Sequence, residues 1–129
     1  MAKLKNTYRI WTAPEGQAVT VGNNRAITRE TRGGNQVFVC RLRGSPVVVA
    51  TPHGGNGTIT IRLDVCGYLT TTTISAMRDF MGAFGVAGSA SRAGNTLSAR
   101  WYHDGAWHDR DSADGESMSF VADRFPVFA

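Results

Sequence analysis

Short apolar alternation, broken repeatedly by glycine-bearing turns, is the feature that most limits what this chain can fold into. In Gln36–Arg43, Phe38, Cys40 and Leu42 fall on one side, and Val37, Val39, Arg41 and Arg43 fall on the other. Successive strand side chains point to opposite faces, so this spacing predicts a strand. Thr58–Leu63 repeats the pattern with Ile59, Ile61 and Leu63 inward. Between the two, Gly44-Ser45-Pro46 reads as a tight turn into Val47–Ala50, and the segment 51–57 closes that strand. Three consecutive antiparallel strands, a meander, follow from these segments. Tyr8 and Ile10 on one side of Thr7–Trp11, and Ala26–Thr28 after the turn Gly22-Asn23-Asn24, predict further strands before them.

Helical periodicity occurs once. Ile74, Met77, Phe80, Met81 and Phe84 are spaced to share one face of a 3.6-residue turn. A threonine of the run Thr70–Thr73 supplies the N-cap, and Gly85 is a left-handed stop. Beyond it, 86–92 and 96–102 flank the turn Gly94-Asn95. His103-Asp104-Gly105 turns the chain again towards Ala106-Trp107-His108. The acidic stretch 109–116 reads as a solvated loop, 117–121 as a last strand, and 125–128 as a packing or docking tail. The expected fold is β-rich α+β: an antiparallel meander sheet with one main amphipathic helix packed on it. No linker or repeat divides 1–129, so one domain is expected.

Charge is distributed unevenly. Residues 1–43 carry eight basic groups against Glu15 and Glu30, a balance of +6; residues 44–103 stand at +2, and 104–129 at −4. The single domain thus divides by charge into a basic N-terminal part (1–43), a strand–helix core (44–103) and an acidic C-terminal part (104–129). The front favours an anion, or the two ends pair head to tail between copies. Twelve of the fourteen cations are arginine, whose planar fork suits phosphate and carboxylate; a GC-rich coding sequence gives the same bias. Hydrophobic residues at 42% and charged residues at 19% are those of a globular chain. The longest apolar runs are four and five residues (47–50 and 125–129), against about 20 for a bilayer span. No membrane partner is expected. Lys3 and Lys5 have no apolar stretch behind them, so no secretory signal is read. Cys40 and Cys66 lack metal-ligand spacing and are expected to remain free thiols.

Leu42-Arg43-Gly44-Ser45-Pro46-Val47-Val48, then Cys66-Gly67-Tyr68-Leu69-Thr70-Thr71-Thr72-Thr73 and an amphipathic helix, resemble a widespread family of small tailed-phage proteins. Its closing aromatic hairpin corresponds to Arg100-Trp101-Tyr102 or to Asp104-Gly105-Ala106-Trp107. The likeness runs over roughly 25–120, and Cys-Gly-aromatic-x-Thr-x-Thr-Thr is its most specific stretch. The basic N-terminal region and the segment between Gly85 and Thr96 depart from it. The resemblance implies a phage-encoded accessory protein acting in the host cytoplasm, on host machinery or host defence.

Three constellations carry chemistry. The threonine run places hydroxyls beside the unpaired N–H groups of a helix start, so Thr71, Thr72 and Thr73 form an anion cradle or simply cap the helix. Arg25, Arg29, Arg32, Arg41 and Arg43 form an arginine-lined sheet surface for phosphodiesters, with Tyr8, Trp11, Trp101 or Trp107 stacking bases, or else populate a solvated face. Trp101 is expected in the core and Trp107 near a turn. His53, His103 and His108 with Asp104, Asp109 and Asp111 suggest a metal or general base, against ordinary turn residues. No nucleophile motif or phosphate loop accompanies them. The expected function is non-enzymatic, without metal or cofactor. It is binding and modulation of a host component: nucleic acid, a nucleotide or an acidic host protein face. A virion assembly protein that self-associates through its charged ends is the alternative.

Overall fold

The computed structural model describes residues 4–53 and 57–124. Five strands run as an antiparallel meander: β1 (Ala18–Gly22), β2 (Arg25–Arg32), β3 (Asn35–Leu42), β4 (Ser45–His53) and β5 (Thr58–Asp64). The one α-helix among the described residues, α1 (Thr71–Ala83), follows. Then come β6 (Gly88–Ala93), β7 (Thr96–His103), β8 (Ala106–Asp111) and β9 (Ser117–Asp123). The last strand returns to pair antiparallel with β5, completing a six-stranded sheet in the order β1-β2-β3-β4-β5-β9. A second sheet, β6-β7-β8, is built from two hairpins. The β-rich α+β architecture expected from the sequence is the one observed; the second sheet is an addition to it.

One face of the large sheet is largely apolar because residues two apart along its strands point to the same side. Ile27, Phe38, Cys40, Val48, Ala50, Ile59, Ile61, Leu63 and Phe120 are each no more than 6% exposed. Helix α1 covers this face with Ile74, Met77, Phe80 and Met81, all of them buried, and Phe84 joins them just past its end. Gly85 has φ 69°, the left-handed stop that its position predicted. The second sheet seals the remaining side with Ala90, Leu97, Ala99 and Trp101; Trp101 stacks on Phe120 of β9 with ring centroids 4.4 Å apart.

Several local expectations change. Thr7–Trp11 is a 3-10 helix rather than a strand; it seats Ile10 in the core and Trp11 4.7 Å from the ring of Phe38. Two apolar residues at a spacing of two suit a strand, but also a tight turn with a single anchoring side. The turn after β3 is Arg43-Gly44, both left-handed at φ 51° and 84°, so Ser45 and Pro46 already belong to β4. A register shift between Cys40 and Arg41 gives β4 an extra residue, and Val47 and Val48 are both buried. Asp109, Arg110 and Asp111 lie in β8, so the acidic loop begins only after them. The expected turn at 54–56 and the tail 125–128 lie outside the described residues.

Candidate anion-binding site

The approach to α1 is shaped by two left-handed residues. Asp64 Oδ1 accepts the N–H of Cys66 at 2.8 Å, Cys66 and Gly67 take φ 52° and 85°, and Tyr68 N–H closes the turn on Val65 O at 2.9 Å. The turn leaves Tyr68 67% exposed. Thr70 is the N-cap: its Oγ1 accepts the N–H of Thr73 at 3.2 Å and lies 3.1 Å from the Thr73 hydroxyl. Thr73 is buried, whereas Thr71 and Thr72 are exposed. As the first two helical residues, Thr71 and Thr72 have N–H groups without an intrahelical acceptor, at the positive end of the helix dipole.

Thr72 faces a pocket of about 470 Å³ bounded by Leu42, Arg43, Ser45 and Val47 on the β3–β4 side, by Val65 and Tyr68, and by Thr70, Thr72 and Thr73. Thr71, expected in the cradle, is exposed and lines neither this pocket nor the next. A neighbouring pocket of about 430 Å³ shares Leu42, Arg43 and Thr72, and adds Lys5, Asn24 and Arg25 among its walls. Every charged side chain in the two linings is basic. Arg43 is exposed and forms no ion pair among the described residues. Its backbone N–H is anchored on Asn24 O at 2.7 Å. The site thus combines the start of α1, hydroxyls, two cations facing solvent and one exposed phenol ring. That is the equipment for an oxyanion bearing a planar or apolar appendage.

The five arginines do not form one surface. Arg25 and Arg29 share the inward parity of Ile27; Arg25 is ion-paired with the buried Asp79 of α1, and Arg29 donates to Ala13 O. Arg41 lies on the opposite face, donating to Thr28 Oγ1 at 3.2 Å and 4.0 Å from Glu30. Arg32 pairs with Glu30 at 3.1 Å near the far end of β2. Val37 and Val39, beside Arg41, are buried. Only Arg43, and Arg25 through its place in the second pocket, join the threonines. Lys5, Asn24 and Tyr68 are members of the site that sequence reasoning misses; they come from the N-terminal segment, a hairpin turn and the β5–α1 turn, and no local pattern links them.

The aromatic candidates separate in the same way. Trp11 packs on Phe38, and Trp101 is buried against Phe120. Tyr8 and Trp107 are 64% and 54% exposed, and neither lines the anion pockets. The histidines are dispersed: His53 Nε2 is 2.7 Å from Thr60 Oγ1, and His103 Nδ1 is 3.1 Å from Asp123 Oδ1. His108 Nε2 is 3.3 Å from His103 O. Among the described residues, no three His, Cys, Asp or Glu side chains gather as metal ligands. Cys40 and Cys66 are free thiols. Burial pushes the Cys40 thiol far up, and burial together with Asp64 raises that of Cys66. Both are therefore held in the unreactive protonated form. Among the described residues, no helix is long and apolar enough to cross a membrane.

No family model matches the chain, and neither a curated protein nor a solved structure does.

Proposed function

We propose that this is a phage-encoded, non-enzymatic accessory protein that binds a phosphate-bearing ligand, a nucleotide in the simplest case, at the start of α1. Through that ligand it modulates a host component, in host takeover or anti-defence. The observation that carries the binding reading is the convergence of Arg43, Thr72 at the start of α1 and Tyr68 at one pocket, with Lys5 beside it. The phage origin rests on the resemblance in the strand–Cys-Gly-aromatic–threonine–helix segment. A mononucleotide fits this arrangement better than a long nucleic acid does. The cations surround a concave site instead of tracking a strand, and Arg25, Arg29, Arg32 and Arg41 are engaged elsewhere. Phosphate would sit at the start of α1 with Arg43 alongside, and the base would stack on Tyr68, a contact worth about 1–3 kcal/mol.

Calorimetric titration with inorganic phosphate, nucleoside monophosphates and a single-stranded RNA tests this reading. Mononucleotide should bind more tightly than phosphate, with affinity falling as salt rises. Arg43→Ala should weaken it about tenfold or more, the scale of one charged hydrogen bond. Arg32→Ala should leave it unchanged. Absence of binding by all three ligands at low salt would reject the site.

A further inference from the structure

The two sheets have four outer edges, β1, β9, β6 and β8, and on three of them named groups occupy one or more strand carbonyls. At β1, Lys5 N–H donates to Val21 O at 2.6 Å and the Asn6 amide to Thr20 O at 3.4 Å. At β9, Ser117 O accepts from the Ser112 hydroxyl, Ser119 O from the Arg110 guanidinium, and Asp123 O from the Ala87 N–H. At β6, Arg78 Nε donates to Ala90 O at 2.7 Å. Capping outward carbonyls in this way is how proteins prevent a sheet from recruiting another strand.

β8 has no such protection among the described residues. Ser112 N–H bonds to Leu97 O at 2.8 Å, just beyond the pair Ser98–Asp111, which sets the phase of the β7–β8 ladder. Bonded and non-bonded pairs alternate, so Trp107, Asp109 and Asp111 occupy the non-bonded positions and turn their N–H and C=O groups to the open edge. All six residues of β8 are exposed. The same three residues put their side chains on one face: Trp107, 54% exposed beneath the Arg100 guanidinium at 4.9 Å, then two carboxylates. Arg100 lies 3.8 Å from Asp109 and offsets only some of that charge.

We infer that β8 is a docking edge for an extended segment of a partner protein with lysine or arginine at alternate positions. That strand would add to the sheet through the backbone groups of Trp107, Asp109 and Asp111. Its basic side chains would lie directly opposite Asp109 and Asp111, the favourable cross-strand pairing. A second copy of this chain is a poorer occupant: two-fold pairing centred on Asp109, or on Arg110, sets aspartates against one another. This edge shares no residue with the anion pocket, and the inference stands or falls independently of it.

The test uses the full chain, labelled for amide spectroscopy, and three capped eight-residue probes. One alternates lysine and valine, the second replaces lysine by glutamate, and the third is the lysine peptide N-methylated at every lysine. The lysine peptide should bind at least tenfold more tightly than the glutamate one, slow hydrogen exchange at Trp107, Asp109 and Asp111, and lose binding on N-methylation. The double variant Asp109→Asn, Asp111→Asn should weaken it about tenfold. Asp109→Pro, which removes an outward N–H but no β7 bond, should abolish binding with the unfolding midpoint retained. Equal binding of lysine and glutamate peptides, indifference to N-methylation, protection confined to other strands, or a dimer joined through β8 would each overturn the inference.

Discussion

Arg25 of β2 and Asp79 of α1 form an ion pair across 54 residues of sequence, with side chains 16% and 3% exposed. It ties the helix to the second strand of the meander, and it takes Arg25 out of the set of freely available cations. The Oδ1 of Asp79 is buried and accepts no hydrogen bond among the described residues, so the carboxylate depends on Arg25 for compensation. Arg25→Met should therefore destabilise the fold by about 3–5 kcal/mol, the cost of stranding a buried charge. Asp79→Asn, which removes that charge and retains its shape, should cost less. Urea unfolding of the two variants checks the order.

The threonine run separates into a cap and its neighbours. Thr70→Ala removes the acceptor for Thr73 N–H and should cost about 1 kcal/mol, as helix caps do. Thr71→Ala, at an exposed position, should stay within about 0.5 kcal/mol of the parent. Thermal unfolding of the pair distinguishes a single cap from a cooperative run.

Two glycines should respond with opposite sign. A Cβ on Gly88 would lie 2.5 Å from Arg100 O and 2.9 Å from Trp101 Cα, in the β7 backbone. Gly88→Ala should destabilise by about 1–3 kcal/mol or more, as overpacking does. Gly82 lies in α1 with nothing within 4 Å of a Cβ. Gly82→Ala should stabilise by about 0.5–1 kcal/mol through lower backbone entropy in the unfolded chain and better helix propensity. Denaturant midpoints of the two variants measure both effects.

Asp114 organises the loop before β9. It accepts from the Ser112 hydroxyl, and from the Ser117 and Glu116 N–H groups at 2.8 Å each. The Ser112 bond foremost, then these backbone bonds, hold its carboxyl well below the usual range. Because the folded value lies below the unfolded one, its contribution is complete above the unfolded carboxylate range, near pH 4, and is lost as pH falls below it. Asp114→Asn should lower stability at neutral pH and flatten the acid limb of the stability profile. Unfolding followed from pH 7 to pH 2 gives the result.

Much of the architecture was legible locally. Phe38, Cys40 and Leu42, and Ile59, Ile61 and Leu63, declared their strands because a period of two survives any tertiary arrangement. The helix face from Ile74 to Phe84 and its stop at Gly85 were readable for the same reason. Arg25 and Arg29 were harder: they flank Ile27 at a spacing of two, so the inward direction was written in the pattern. Charge argued against it; Asp79 of α1 answers that charge for Arg25, and the Ala13 carbonyl accepts from Arg29. The strand expected at Thr7–Trp11 failed because two apolar residues do not distinguish an extended segment from a 3-10 turn.

By itself, then, the sequence determined the strands β3, β4 and β5, the helix α1, a threonine cap at its start and the left-handed stop at Gly85, all of which depend on residues within a few positions of one another. β1 was not among the expected strands. Tertiary structure alone decided that β9 returns to β5, that Arg43 meets Thr72 beside Tyr68 and near Lys5, and that β8 is left as the open edge. Those outcomes depend on which strands become neighbours and in what register. The long-range pairing that sets them leaves no periodic trace in the local sequence.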